Sequence, residues 1–343
     1  AQSKIRKDAQ HKVSGTSQYA ADIQLPDTFH GALLRSPHHH ARILRLDPQQ
    51  AETSPGVAAV LTAADVPGEK LFGAIIPDRP VLASDVVRHQ GEAIALVIAR
   101  TKRQALAALK KITVEYQELP AVHDPRAALE ENAPRVHPDG NLLLEYDQGR
   151  GDIEAGFQAS DLILEETFHL PRIYPGYLEP EASLAQWQDE KGSLLVWVSS
   201  QKPFEDQKAI AQALDLPPDK VEVKSAEIGG AFGGKEDSSL PILAALAAYH
   251  LKGAVKLVNT REESILAHPK RHPMEVQYKI GASRDGSIQA VEVSGLMDTG
   301  AYASYGPAVG GVFTEIASGA YNIPHTRVRN QIVYTNCPFS VAM

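Results

Sequence analysis

The sequence predicts an α+β fold built in two units, and three observations carry that expectation. An apolar, β-rich run is followed at once by an amphipathic helical stretch and an alternating strand. Four prolines then crowd a polar segment. Beyond it, strand and helix patterns resume around a loop that holds four glycines.

The first unit spans residues 1–122. Gly15, Tyr19 and Asp22 precede the short apolar run GALLRS. Residues 92–99, EAIALVIA, are almost continuously apolar, as a strand buried on both faces requires. Residues 101–112 put Ala105, Leu106, Leu109 and Ile112 on one helical face, with Thr101 placed to cap it. ITVEYQEL then alternates as a strand. Pro120, Pro125, Pro134 and Pro138, among Asp124, Asn132, Asp139 and Gly140, make residues 123–145 an irregular connection between domains.

The second unit is residues 146–343. SLLVWVSS reads as a strand and residues 204–216 as an amphipathic helix stopped by Pro217 and Pro218. KVEVKSAEI is a strand that runs into the glycine loop. The apolar helix LPILAALAAYHL follows, with Pro241 tolerable in its first turn. VKLVNT, MEVQYKIGA and SIQAVEVSGL are further strands, the last two joined by a turn at Arg284-Asp285-Gly286.

Composition narrows the function. Of 343 residues, 43% are hydrophobic and 22% charged, which is the balance of a globular protein and excludes disorder throughout. With 34 Lys and Arg against 42 Asp and Glu, the net charge is −8, so no global basic field exists for nucleic acid. Cys337 is the single cysteine, so an internal disulfide, a Cys-rich zinc site and an iron–sulfur cluster are all excluded from this chain. Residues 1–10 are polar and lack a signal core. The apolar run at Leu240 is too short for a bilayer. No membrane partner and a cytoplasmic setting are the expectations. His38-His39-His40 reads as a solvated strand or turn, because adjacent side chains on a strand point to opposite faces.

The glycine loop, EIGGAFGGKED at residues 227–237, is the most informative segment. Gly229, Gly230, Gly233 and Gly234 sit between a strand and a helix, where bare backbone can approach a ligand. Residues 229–235 fit G-x-x-x-x-G-K. A phosphate-binding loop needs Ser or Thr next, to hold Mg²⁺, and this chain has Glu236. A tight strand–helix turn and a donor loop for another polar cofactor remain.

The motifs resemble those of the molybdenum-binding large subunit of the xanthine dehydrogenase and aldehyde oxidase family, over nearly the whole chain. IGGAFGGKE is similar to that family's loop at the molybdenum cofactor. SSQKPFEDQ resembles its Ser/Thr-Gln segment, and NTREESILAHPKRHP its Arg-rich segment, with ten residues from Arg261 to Arg271. DTGAYASYGP is a further family stretch. In the first unit SPHHHARI, PGVAAVLTAADVPG and RHQGEAIALVIA resemble the family's N-terminal α/β hammerhead domain.

The resemblance implies a hammerhead domain followed by the first part of a molybdopterin-binding domain, and an enzyme that hydroxylates an electron-poor carbon with water as oxygen source. It implies a molybdenum–molybdopterin cofactor near Gln201, with backbone contacts from Gly230, Phe232 and Gly233; Gln201 and Phe232 lie near the metal without being its ligands. Glu236 and Arg271 stand where purine-hydroxylating members bind the heterocycle, so a purine substrate is expected over an aldehyde. A non-catalytic scaffold is the contrasting reading. Two departures matter. YPGYLEP carries no histidine before Leu-Glu-Pro, and the Arg-Gly-Phe-Gly stretch that usually follows TNCPFSVAM is not in this sequence. The resemblance therefore implies a partner chain with the C-terminal half of the molybdenum domain, most pterin contacts and the catalytic glutamate. It further implies an iron–sulfur subunit with 2Fe-2S and a flavin subunit with FAD.

Overall fold

The computed structural model describes residues 4 and 6–343; the first residues of the 1–122 unit, 1–3 and 5, lie outside the described residues. One seven-stranded sheet organises the chain. Its order is Val221–Ser225, Ser193–Val198, Ala182–Gln188, Ala254–Val258, Phe29–Arg35, Ala93–Ala99, Val57–Leu61. The sheet therefore crosses from the first unit into the second, at a parallel pairing of Phe29 with Val255 and His30 with Lys256. Leu33, Leu96 and Ile98 of the first unit share one buried cluster with Val196, Leu246 and Leu257 of the second. The two units are thus joined by a hydrogen-bonded ladder and a common core.

The helix Leu240–Leu251 fills that core. Nine of its residues, Leu240 to Ala248, are buried. A helix apolar all round must be buried all round, and this one packs between strands of the sheet and the helix Pro203–Leu214. The latter helix ends at Leu214, before the prolines. Asp215 takes a left-handed φ of 51°, and Leu216 N–H closes on the Ala211 carbonyl at 2.9 Å. Pro217 and Pro218 follow a helix already terminated. In the first unit the helix is Lys102–Leu109, and the Thr101 hydroxyl accepts Gln104 N–H as predicted.

A second, five-stranded sheet has the order Leu162–Leu170, Met274–Ala282, Ile288–Gly300, His325–Tyr334, Leu142–Arg150. The turn at Arg284-Asp285-Gly286 joins two of its strands, with Gly286 at φ 89°. Neither edge strand is apparent in the sequence. Leu142–Arg150 begins inside the segment read as a connection, and Leu162–Leu170 lies on a sheet edge where burial imposes no continuous apolar run. Gly306–Ile316, a helix with three glycines, carries no clear helical signal either.

Leu246→Ala should cost about 2–5 kcal/mol, because the fully buried side chain leaves a cavity that a sheet and a helix cannot close. Urea unfolding of the purified protein measures it.

Candidate functional site

The glycine loop is held from beneath by a buried lysine. Lys235 is 1% exposed. Its Nζ donates to Glu179 Oε2 at 2.8 Å and to Ser199 Oγ at 2.8 Å. The same Glu179 oxygen accepts Gly229 N–H at 2.7 Å and Ser199 Oγ–H at 2.8 Å. Burial pushes the Lys235 ammonium below its ordinary pKa, and the Glu179 carboxylate opposes that. The lysine of the phosphate-loop pattern is therefore consumed by an internal ion pair, and the nucleotide reading falls.

A second carboxylate supports this layer. Glu181, two residues on along the same extended segment, accepts Asn259 Nδ2 at 2.9 Å, Ser264 Oγ–H at 2.8 Å and the Tyr177 hydroxyl. Burial alone would raise its pKa, but the His268 ring, Tyr177, Asn259 and Ser264 hold it down at about 2. His268 Nε2 lies 2.6 Å from the Gly234 carbonyl, so the network also touches the loop. Sequence reasoning treats YPGYLEP only as pocket wall. Its signal is the i, i+2 pair Glu179 and Glu181, which an extended backbone turns to one face.

Above this layer the loop takes conformations that need glycine. Gly230 has φ 95° and Gly233 φ 86°. A Cβ on Gly233 would collide with the Ala342 carbonyl oxygen. Phe232 is not glycine, yet its φ is 50° and it is 69% exposed. A bulky residue held left-handed with its ring in solvent stores strain at a place where no core packing requires it. The Phe232 ring is therefore not a core residue.

The remaining predicted residues gather around this turn. Gln201 precedes the helix Pro203–Leu214 and is exposed. Its N–H donates to the Lys235 carbonyl at 3.1 Å, and its Oε1 accepts Lys235 N–H at 3.2 Å. The carboxamide oxygen is thereby committed, and the NH₂ is the group left to meet an external acceptor. Glu236 N–H bonds the Gly233 carbonyl at 3.3 Å. Its half-buried carboxyl is raised above the usual range by burial, opposed by Lys202 and aided by Glu205.

Arg271 reaches the turn through backbone. Lys270 and Arg271 pair in parallel with Ser340 and Val341, and the next carbonyl, Ala342, abuts Gly233. Arg271 Nη2 donates to the Pro171 carbonyl at 3.0 Å, while its buried Nε has no protein partner. Among the described residues Glu236 and Arg271 form no ion pair with each other, and the N-cap of the following helix is Ser239. Wide concavities of about 570, 510 and 290 Å³ open instead along the five-stranded sheet, and Gln201, Glu236 and Arg271 line none of these three. His40 is buried with Nδ1 on the Pro120 carbonyl, and His38 faces Glu118.

Glu179→Ala should destabilise the fold by about 3–5 kcal/mol, because it strands the Lys235 charge; Glu179→Leu with Lys235→Met should recover part of that loss in urea unfolding. A pH effect comes from Asp206, buried on the helix after Gln201. Burial, with Asp237 and Glu205, pushes its carboxyl up to about 7 against a bond from Ser200. The folded state then holds a proton that the unfolded chain has released, so its contribution to stability falls as pH rises from about 4 to about 7. Asp206→Asn should raise the melting temperature more at pH 8 than at pH 5.

The comparisons agree with this geometry. The family model "Molybdopterin cofactor-binding domain" matches residues 136–343, and "Aldehyde oxidase and xanthine dehydrogenase, a/b hammerhead domain" matches residues 14–120. The nicotinate dehydrogenase large molybdopterin subunit of Eubacterium barkeri is 43% identical over 343 residues, across 99% of this chain and 80% of that protein. A probable xanthine dehydrogenase subunit of Bacillus subtilis is 42% identical, across 97% of this chain and 45% of its own length. The aldehyde oxidoreductase structure from Desulfovibrio gigas superposes with a TM-score of 0.94 at 30% identity, covering 98% of this chain and 39% of that one. This chain therefore spans less than half of the latter two. A glycine cradle over a buried ion pair, a hammerhead match and a molybdopterin-domain match converge: the chain belongs to the molybdenum-binding subunits of the xanthine dehydrogenase and aldehyde oxidase family.

Proposed function

We propose that this chain is the substrate-reading part of a molybdenum hydroxylase that oxidises purines and related electron-poor heterocycles, completed by a second polypeptide half. The carrying observation is that Glu236 N–H bonds the Gly233 carbonyl, that Arg271 pairs with Val341 one residue before the Ala342 carbonyl that abuts Gly233, and that the two side chains form no ion pair with each other. A planar heterocycle offers donors and acceptors on its edges, which a carboxyl and a guanidinium match. The names of two relatives, nicotinate dehydrogenase and xanthine dehydrogenase, fit a ring substrate.

The donor set fits the cofactor. The turn exposes backbone where a Cβ has no room, and the Gln201 NH₂ is a neutral donor beside it. When bound, the molybdenum–molybdopterin group supplies the two-electron hydroxylation chemistry. Gly230, Phe232 and Gly233 would hold that group by backbone, and the Gln201 NH₂ would donate a hydrogen bond to it. The Glu236 carboxyl is raised above the usual range by burial, opposed by Lys202, and would meet the polar edge of a ring substrate. Arg271 supplies positive charge where the ring gains electron density. No group of this chain is assigned as the proton-abstracting base. The 2Fe-2S and FAD centres belong on partner chains, since Cys337 alone cannot hold a cluster. Among the described residues no helix is long and apolar enough to cross a membrane.

An aldehyde substrate is the second reading, favoured by the fold likeness to aldehyde oxidoreductase. Substitution separates the two. Arg271→Met should remove a charge-assisted donor worth about 2–4 kcal/mol in the transition state. That is roughly 30- to 1000-fold in kcat/KM for hypoxanthine, xanthine or nicotinate. A simple aldehyde should lose far less, and Glu236→Val should shift preference the same way. Equal losses on ring and aldehyde substrates in the assembled enzyme would make the pair structural.

A further inference from the structure

We infer that the Leu162–Leu170 strand is a docking edge, to which the polypeptide carrying the rest of the family's length adds a strand. This rests on the reading above that a second half completes the site. The strand pairs on one side only, with Met274–Ala282, and its other side is the rim of the five-stranded sheet. All nine residues are exposed. It carries no proline, and its register runs without a bulge from Leu162↔Ala282 to Leu170↔Met274. Long, regular, apolar edges are what folded proteins normally avoid leaving open.

The two faces of the strand differ. Leu162, Leu164, Phe168 and Leu170, with Glu166 between them opposite Tyr278, share the face that holds Val276, Tyr278 and Ile280 of the neighbouring strand, which is the core face of this sheet. The helix Gly306–Ile316 covers that face over the far strands and stops short of this edge. Leu164 stays 60% exposed and Phe168 51% exposed. Phe168 packs edge-on to Tyr278 at 6.0 Å, and the Tyr278 hydroxyl reaches the Ala317 carbonyl at 3.0 Å. The apolar shelf therefore continues to the end of that helix, where Ile316 and Tyr321 are exposed. The opposite face is polar, with Glu165 on Lys279 and His169 near Glu275.

Two arguments choose the occupant. Solved relatives superpose on 98–99% of this chain with TM-scores of 0.90–0.94, yet this fold accounts for only 39–45% of each. More than half of such a chain must pack elsewhere, and this shelf is an open continuation of a core. Charge disfavours a second copy. Antiparallel self-pairing over all nine residues centres on Glu166 and sets it against Glu166 of the other copy, with both Glu165 carboxylates close by. A strand with alternate apolar residues and Lys or Arg opposite Glu165 and Glu166 meets the edge on both faces.

The test uses the co-purified assembly of this chain with that second polypeptide. Hydrogen exchange should be at least tenfold slower across residues 163–169 than across the opposite edge, Leu142–Arg150. Leu164→Lys with Phe168→Lys should lower assembly at least tenfold in sedimentation while leaving the far-ultraviolet spectrum unchanged, and Leu44→Lys, on another exposed strand, should not. Fast exchange at residues 163–169 with normal assembly of the double variant overturns the inference. So does a Thr167→Cys cross-link between two copies of this chain, or failure of the second polypeptide to bind at all. Assembly through this edge without ring hydroxylation would instead sink the substrate reading and leave the docking edge standing; hydroxylation with the edge exposed would do the reverse.

Discussion

The glycine loop depends on one buried ion pair. Loops rich in glycine have the largest backbone entropy to lose, so a fixed loop needs a partner that outweighs that loss. Here a single carboxylate oxygen, Glu179 Oε2, takes Gly229 N–H at one end of the loop and the Lys235 ammonium at the other. The loop is tied at both ends to the same atom. The pair is buried, so its strength comes with a desolvation cost, and Ser199 supplies the extra hydrogen bonds that such a pair requires. The unusual backbone of Phe232 persists because the residues on either side of it are fixed in this way.

Much of the fold was legible because burial writes itself as pattern. The run at residues 92–99 and the all-apolar Leu240–Leu251 lie in a core, where position dictates residue type. The pattern of Lys102–Leu109 puts Leu106 on the buried face, but the helix buries Ala105 and Ala108 and leaves Leu106 42% exposed. The missed strands include both edges of the five-stranded sheet, where one side faces solvent and the pattern weakens, and also the interior strands His325–Tyr334 and Ala182–Gln188, whose polar residues break the apolar run. Site residues followed the same division. Gln201, Phe232, Glu236 and Arg271 are assigned by motif resemblance alone, since exposed and half-buried residues carry no periodicity. Glu179 and Glu181 escaped because their work is internal to this chain, and nothing in Leu-Glu-Pro-Glu announces which buried lysine or histidine will meet them.

A boundary drawn from prolines also meets a constraint that no local signal contains. The connection at residues 123–145 separates two stretches of sequence, but the seven-stranded sheet runs across both. Phe29 pairs with Val255 although the two lie far apart in the chain. Arg79 of the first unit, stacked between Phe72 and Phe339, also holds Asp237 just past the glycine loop. The Ser304 hydroxyl meets the other oxygen of Asp237 at 2.6 Å. The residue next to Glu236 is thus held by contacts from both units, so neither unit alone sets the position of that side chain.

The layering of the site explains why its chemistry faces outward. Beneath the loop every strong charge has a partner: Lys235 with Glu179, Arg79 with Asp237, and Glu181 with its ring of donors. Above it the groups are unspent. Phe232 stands in solvent, Gln201 keeps its NH₂, and Phe204 and Leu178 are exposed nearby in sequence to Gln201 and Glu179. No core packing requires a phenylalanine held left-handed at the surface. The strain makes sense as preparation for a surface that closes over the turn, where a cofactor's polar end needs bare backbone and a dry wall. On the reading proposed above, part of that wall lies in this chain, and a turn tied at both ends to Glu179 lowers the ordering cost of whatever binds it.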